Sequence, residues 1–307
     1  ILFVRPRPSR HTIGLQHVMI VEPLELEIMA TLAATKNHPV IVDMILENKP
    51  IDFYIRKENP DILCVTGYIT NVPEMINYCK CAKSINDKII TVAGGVHCEV
   101  CPEDLNDKSI DYRVVRNAVI VFPQLLDYFE NKEKFPKGIL RFEEKLLPSE
   151  LPPFNFSFLI PDRKLTSRYR KHYFYLFHEK VALIKTSFGC PFSCSFCFCR
   201  VITGGKYFER PLREVIEELL SIEEKNIYIV DDDFLTGRIR VNDFIEANRA
   251  AGLDKNYLLY GRADFIAQNP DMMADFRNIG LKTVIVGFES FYDHELKEYN
   301  KNTDART

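Results

Sequence analysis

A chain of 307 residues with 46% hydrophobic content has enough apolar mass for roughly two packed domains of about 150 residues each. Its net charge of −3, from 40 basic and 43 acidic residues well mixed along the chain, provides no basic field for duplex nucleic acid. With no signal peptide and no apolar run of about 18 residues, the sequence reads as soluble and cytoplasmic without a membrane span, in a compartment where clustered cysteines point to metal or catalysis rather than disulfides.

From the N-terminus, short β-branched or apolar runs alternate with amphipathic helical patterns, which predicts a parallel sheet covered by helices. The strands are "ILFV", "VIVDM", "ILCVTG", "IITVAGG" and "DYRVVR", with helices over "LELEIMATLAA", "VPEMINYCKCAK" and "FPQLLDYF". Residues 1–130 are expected to form a small doubly wound, Rossmann-like domain, whose ligands bind at the carboxyl ends of the strands. Residues 131–180 break the rhythm with "ENKEKFPK", the prolines of "LPPFNF" and the aromatic-basic "RYRKHYFYLF", and read as a connector whose aromatic-basic stretch 168–178 covers the barrel rather than lines a pocket. The alternation restarts at residue 181: strand 181–187, helix 212–223, strand "IYIVD", helix 241–251, strand "YLLYG", helix 270–279, strand "TVIVGF" and helix 291–299. Four β/α units over 181–307 predict a partial barrel. The chain opens on "ILFV" and stops at "NKNTDART", so it is expected to be part of a longer protein, truncated on the C-terminal side.

Four of the nine cysteines fall within "GCPFSCSFCFCR", residues 189–200, just after the first strand of the second domain. Cys190, Cys194 and Cys197 form C-x3-C-x2-C. Three thiolates at this spacing can ligate three irons of a 4Fe–4S cubane and leave the fourth open to a cofactor, whereas an electron carrier normally closes that position. Zinc with Cys199 as fourth ligand is the plain alternative, yet a zinc ribbon uses a second C-x2-C pair that is absent here. Cys199 reads as a bystander in the loop.

This spacing, with Phe196 directly before the third cysteine, resembles the radical S-adenosylmethionine (SAM) superfamily. The resemblance implies that SAM chelates the open iron through its amino and carboxylate groups, and that an electron splits it to a 5′-deoxyadenosyl radical. It also implies SAM contacts at successive strand ends. These are Asp231, Asp232 or Asp233 in "VDDDF", Arg262 in "YGRAD", and Glu289 and Ser290 in "GFES". Bland readings stand beside them: a solvated acidic strand end for the three aspartates, and an ion pair of Arg262 with Asp264. The fifth and sixth strands, which usually help to hold the adenine, are not identifiable.

The first domain resembles the cobalamin-binding domain of cobalamin-dependent radical SAM enzymes. That resemblance places the corrin against "VTGYITN" (Thr66, Tyr68, Thr70, Asn71) and "AGGVHCEVCPED" (Gly94, Gly95, His97), with Tyr68 below the cobalt. Two departures stand out. "RNAV" at 116–119 replaces the acidic "GEGE" of many relatives, and no D-x-H-x-x-G histidine is present to ligate cobalt. "HCEVC" hints at a second metal, although Cys98 and Cys101 flank a helix start. The expected function is an oxygen-sensitive radical SAM enzyme that uses a 4Fe–4S cluster, SAM and cobalamin to methylate an unactivated carbon of an organic substrate, with a flavodoxin or ferredoxin as reductant. The alternatives are cyclisation or rearrangement without methyl transfer, and an iron–sulfur or zinc-binding electron-transfer or regulatory protein.

Overall fold

This computed structural model describes residues 1–9, 12, 14–131, 134–146 and 159–306. The chain divides into two compact units, Ile1–His172 and Tyr173–Thr307. The described residues of the expected connector are therefore shared between the units at His172, and the prolines of "LPPFNF" lie outside the described residues.

In the first unit, the strands β1 (Leu2–Arg5), β2 (Val40–Asp43), β3 (Ile62–Thr66), β4 (Ile90–Gly94), β5 (Tyr112–Val114) and β6 (Ile139–Leu140) line up in the order β2-β1-β3-β4-β5-β6. All pair in parallel except the antiparallel edge strand β6. The helices are α1 (Leu24–Ala33), α2 (Ile51–Glu58), α3 (Val72–Ile85), α4 (Val96–Val100) and α5 (Ala118–Asn131). Successive strand residues point to opposite faces. Leu2, Val4, Leu63 and Val65 pack on Ile55 of α2 and on Met75, Cys79 and Ala82 of α3. Phe3, Ile41, Cys64 and Val92 pack on Leu26 and Ala30 of α1 and on Phe122 and Leu125 of α5. Burial on both faces is why these strands read as unbroken apolar runs. The strand order reverses between β1 and β3, and the crevice at their carboxyl ends is where doubly wound sheets take ligands. Helix α5 starts at Ala118, earlier than "FPQLLDYF" predicts, and runs through Pro123. The hydrogen bond missing at Pro123 is offset by burial of Val121 and Phe122 just before it.

The second unit holds four parallel strands, β7 (Val181–Ile184), β8 (Asn226–Ile229), β9 (Asn256–Gly261) and β10 (Leu281–Val286), in sequential order. Between and after them come α6 (Cys199–Thr203), α7 (Leu212–Ser221), α8 (Arg238–Ala250), α9 (Ala263–Gln268), α10 (Pro270–Asn278) and α11 (Asp293–Glu298). Ala182, Ile184, Ile227, Ile229, Tyr257 and Leu259 face the helices and pack on Val215, Leu219, Phe244 and Phe276. Leu183, Tyr228 and Leu258 lie side by side in register on the opposite face. A sequential parallel sheet with helices on one face is the partial barrel that the alternation predicts. The short helices α6 and α9 lacked a sequence signal, because five or six residues show too little of a 3.6-residue period.

Candidate active site

The cysteine loop begins where β7 ends and is closed at its base. Ser187–Phe188 pairs antiparallel with Phe208–Glu209, so the residues between make an excursion anchored at both ends. Asp231 fixes the entry: one carboxylate oxygen accepts from the Thr186 backbone N–H at 2.6 Å, and the other accepts from the hydroxyls of Thr186 at 2.6 Å and Ser187 at 2.7 Å. Asp232 accepts from the Gly189 N–H at 2.8 Å. Gly189 has φ +82°, and a Cβ there would meet the Lys206 carbonyl oxygen at 2.2 Å, so the turn into Cys190 admits only glycine. Beneath the loop, the buried Arg210 donates to the Lys185 carbonyl at 2.9 Å and pairs with Glu218 at 2.6 Å.

Cys190, Cys194 and Cys197 are part-buried, and Cys199 is buried at the start of α6. Burial pushes the Cys190 thiol up to about 11. The Cys199 thiol donates to the Cys197 sulfur, which lowers Cys197 to about 6 and pushes Cys199 itself well up. A single tetrahedral zinc with Zn–S of about 2.3 Å would bring its thiolates within about 3.8 Å of one another. Among the described residues, these three cysteines do not gather within 4.8 Å. A spread donor set of three thiols fits the corners of a cubane better than a mononuclear ion.

The far side of the loop is held by residues that sequence reading did not single out. Asn300 donates to the Ser193 carbonyl at 2.8 Å and to its hydroxyl at 2.6 Å, and the Ser195 N–H donates to the Tyr299 carbonyl at 2.9 Å. Phe196 is more than half exposed and meets the Tyr299 ring edge-on at 5.9 Å. No spacing rule links residues a hundred positions apart, so these partners were invisible in the sequence.

The three aspartates after β8 diverge. Asp231 and Asp232 accept hydrogen bonds from the loop, whereas neither oxygen of Asp233 accepts one from it. One Asp233 oxygen accepts from the Leu235 N–H at 3.0 Å, and the other is buried without a hydrogen-bond partner. Burial raises Asp233 from 3.8 to about 7, against the lowering pull of Arg262 and Lys301. Arg262 is buried and does form the ion pair with Asp264, at 2.8 Å. It also donates to the Lys301 carbonyl at 2.6 Å and lies over the Phe192 ring at 4.0 Å, which ties it to the cysteine loop. Glu289, at φ +64°, accepts from Lys301 at 3.0 Å. The Ser290 hydroxyl donates to Glu295 and accepts from the Tyr292 N–H at 3.0 Å. Asp233, Arg262 and Glu289 thus share Lys301 as a neighbour, while Ser290 is engaged with Tyr292 and Glu295.

In the first unit, Thr66, Tyr68, Thr70, Asn71, Gly94 and Gly95 share the carboxyl edge of β3 and β4. Gly95 has φ +92°, and a Cβ there would meet the Thr66 hydroxyl at 2.3 Å and the Gly67 nitrogen at 2.9 Å. Asn71 accepts from the Tyr68 N–H at 3.1 Å and donates to the Pro6 carbonyl at 3.3 Å, which bridges the loops after β1 and β3 at the reversal of strand order. The Thr70 carbonyl accepts from the Ser9 N–H at 3.0 Å. Tyr68 and Ile69 remain 60% and 67% exposed. Two exposed apolar side chains on a glycine-lined edge suit a flat macrocycle. His97, two residues after Gly95, is buried, and its ring meets Asp104 at 2.8 Å.

The chain matches the B12 binding domain over residues 10–126 and the Radical SAM superfamily over residues 184–307. The chain thus joins a B12-binding domain to a radical SAM domain. These domains indicate cobalamin, SAM and a 4Fe–4S cluster as the cofactors. The hopanoid C-3 methylase of Methylococcus capsulatus is 28% identical over 97% of this chain and 58% of its own length. The cobalamin-dependent radical SAM methyltransferase TokK of Streptomyces tokunonensis is 25% identical over 57% of this chain and 28% of its own length. The fold of the cobalamin-dependent SAM radical enzyme OxsB, solved with aqua-cobalamin and SAM, superposes with a TM-score of 0.75 at 15% identity, covering 99% of this chain and 46% of that one. This radical SAM chain therefore spans about half the length of the relatives it matches most fully. No helix among its described residues is long and apolar enough to cross a membrane.

Proposed function

We propose that this chain carries the cofactor-binding parts of an enzyme that methylates an unactivated carbon of an organic substrate. The observation that carries the reading is the presence, in one chain, of a three-thiol loop at the strand ends of a partial barrel and of a glycine-lined edge at the strand reversal of a doubly wound sheet. Cys190, Cys194 and Cys197 would hold the cluster, and the exposed edge at Tyr68, Ile69 and Gly95 would hold cobalamin. When bound, the cluster and SAM supply a 5′-deoxyadenosyl radical that removes a hydrogen atom from the substrate carbon, and methylcobalamin supplies the methyl group. The protein's own part is positional. Asp231, Asp232 and Gly189 fix where the loop leaves β7. Asp233 directs its unpartnered oxygen to the amino group of SAM, and Arg262 and Glu289, joined through Lys301, set the polar wall opposite. A flavodoxin or ferredoxin is the proposed electron donor, because the cluster takes one electron at low potential.

The test is anaerobic incubation of cluster- and cobalamin-loaded protein with SAM and a chemical reductant. Methyl transfer yields both 5′-deoxyadenosine and S-adenosylhomocysteine, the latter from methylation of reduced cobalamin. 5′-Deoxyadenosine alone would favour cyclisation or rearrangement, and neither product would overturn the enzymatic reading.

A further inference from the structure

His97, Cys101 and Asp104 follow the glycine pair of the cobalamin edge in H-x3-C-x2-D spacing. Among the described residues they are the one group of His, Cys, Asp or Glu in which three ligand atoms lie within 4.8 Å of one another. His97 lies in α4, Cys101 just past its C-terminus and Asp104 in the turn of Pro102–Leu105, and that turn brings their ligand atoms together. Their backbone is fixed. The His97 N–H donates to the Gly67 carbonyl at 3.2 Å, the Cys101 N–H to the His97 carbonyl at 2.8 Å, and Arg113 to the Pro102 carbonyl at 2.9 Å. His97 is buried, Cys101 part-buried, and the Asp104 side chain half exposed, so the trio opens to solvent on one side. Cys98, the other thiol of "HCEVC", points into the core toward the Ala93 carbonyl and cannot share a ligand set with Cys101.

We propose that His97, Cys101 and Asp104 bind one zinc-like divalent cation, with water in the fourth position. An imidazole, a thiolate and a carboxylate form a borderline-soft donor set that suits zinc over magnesium or calcium. The charges acting on Cys101 come from Glu103 and Asp104, which repel a thiolate but draw in a cation. Binding displaces the thiol proton to solvent and breaks the 2.8 Å contact of His97 with Asp104. The two ligand atoms then move to about 3.4 Å apart, the separation set by tetrahedral bonds of about 2.0–2.1 Å. The ion clips the turn at 101–104 to the helix that follows Gly95, and so holds the backbone behind the cobalamin edge.

The experiment uses the full chain with its cluster loaded, exposed to zinc sulfate and then freed of loose metal by gel filtration. Retained zinc is measured by mass spectrometry, and its ligands by zinc K-edge absorption, which iron does not obscure. The expected result is one zinc per chain, with one sulfur at about 2.3 Å and nitrogen or oxygen at about 2.0–2.2 Å. Cys101→Ser and His97→Gln should each weaken zinc retention at least tenfold at unchanged iron content. Zinc retained undiminished in Cys101→Ser, no retained zinc in the wild type, or an edge showing two or more sulfurs as iron is lost would each overturn the site. The last of these would place zinc on the cluster cysteines.

Discussion

Asp233→Asn tests the placement of SAM most directly. The substitution is isosteric and keeps an oxygen for the Leu235 N–H, but it puts an amide where the unpartnered carboxylate oxygen now lies. One hydrogen bond to a charged group is worth about 1.5–3 kcal/mol, so SAM should bind the variant roughly 10–150-fold more weakly at pH 8. The pH dependence follows from burial. Asp233 is raised from 3.8 to about 7 among Arg262, Lys301, Asp264 and the Leu235 N–H, so in the unliganded protein it is mostly ionised at pH 8 and mostly protonated at pH 6. Only the ionised form is the strong acceptor. The ionised fraction falls about tenfold between those pH values, and the ratio of variant to wild-type Kd should fall by the same factor. Taking the ratio cancels the titration of the amino group of SAM, which is common to both proteins. Calorimetric titration of SAM into the oxidised, cluster-loaded proteins at pH 8 and pH 6 measures it. A ratio near one at pH 8, or a ratio that does not change with pH, refutes the assignment.

Alanine at Cys190, Cys194 or Cys197 should abolish iron–sulfur absorbance, whereas Cys199→Ala should retain it; full retention in any of the first three, or loss in the fourth, is the contrary result. Asp231→Ala orphans one buried N–H and two hydroxyls at the loop entry, and should cost roughly 3 kcal/mol or more in denaturant unfolding, with a matching loss of bound iron. Tyr68→Ala removes an apolar face that is 60% exposed; covering about half of that face with the corrin is worth about 1.5 kcal/mol, so cobalamin retention should drop roughly tenfold. Base-off cobalamin should show no nitrogen superhyperfine splitting in the paramagnetic resonance spectrum of its Co(II) form, since His97 is engaged with Asp104; a clear nitrogen signal is the contrary result.

What was legible in the sequence was whatever is written in local periodicity. The parallel strands declared themselves because burial on both faces leaves no polar alternation, and the cluster loop because three thiols fall within eight positions. What stayed hidden was set by distant partners. "DDD" reads as one feature, but its members separate once Thr186, Ser187 and Gly189 are folded against the first two and one oxygen of the third is buried without a hydrogen-bond donor. Arg262 shows the same limit. The sequence offered a choice between an ion pair with Asp264 and a cofactor contact, and folding keeps the ion pair while stacking the guanidinium on Phe192 of the cluster loop.

Lys301 makes the point most sharply. It lies in an unremarkable polar stretch and has no motif, yet its carbonyl accepts from Arg262 and its ammonium donates to Glu289. With Asn300 and Tyr299 holding Ser193 and Ser195, this short segment after α11 joins the ends of three strands to the cysteine loop. A site assembled in this way places its chemistry in residues chosen by type and spacing, and its geometry in residues chosen only by where the chain returns. The acceptor left over at Asp233 is therefore informative: among the described residues, Asp231, Asp232, Asp264 and Glu289 each have a partner around the loop, and the buried carboxylate oxygen there that lacks one is on Asp233, where a bound cofactor could supply the donor.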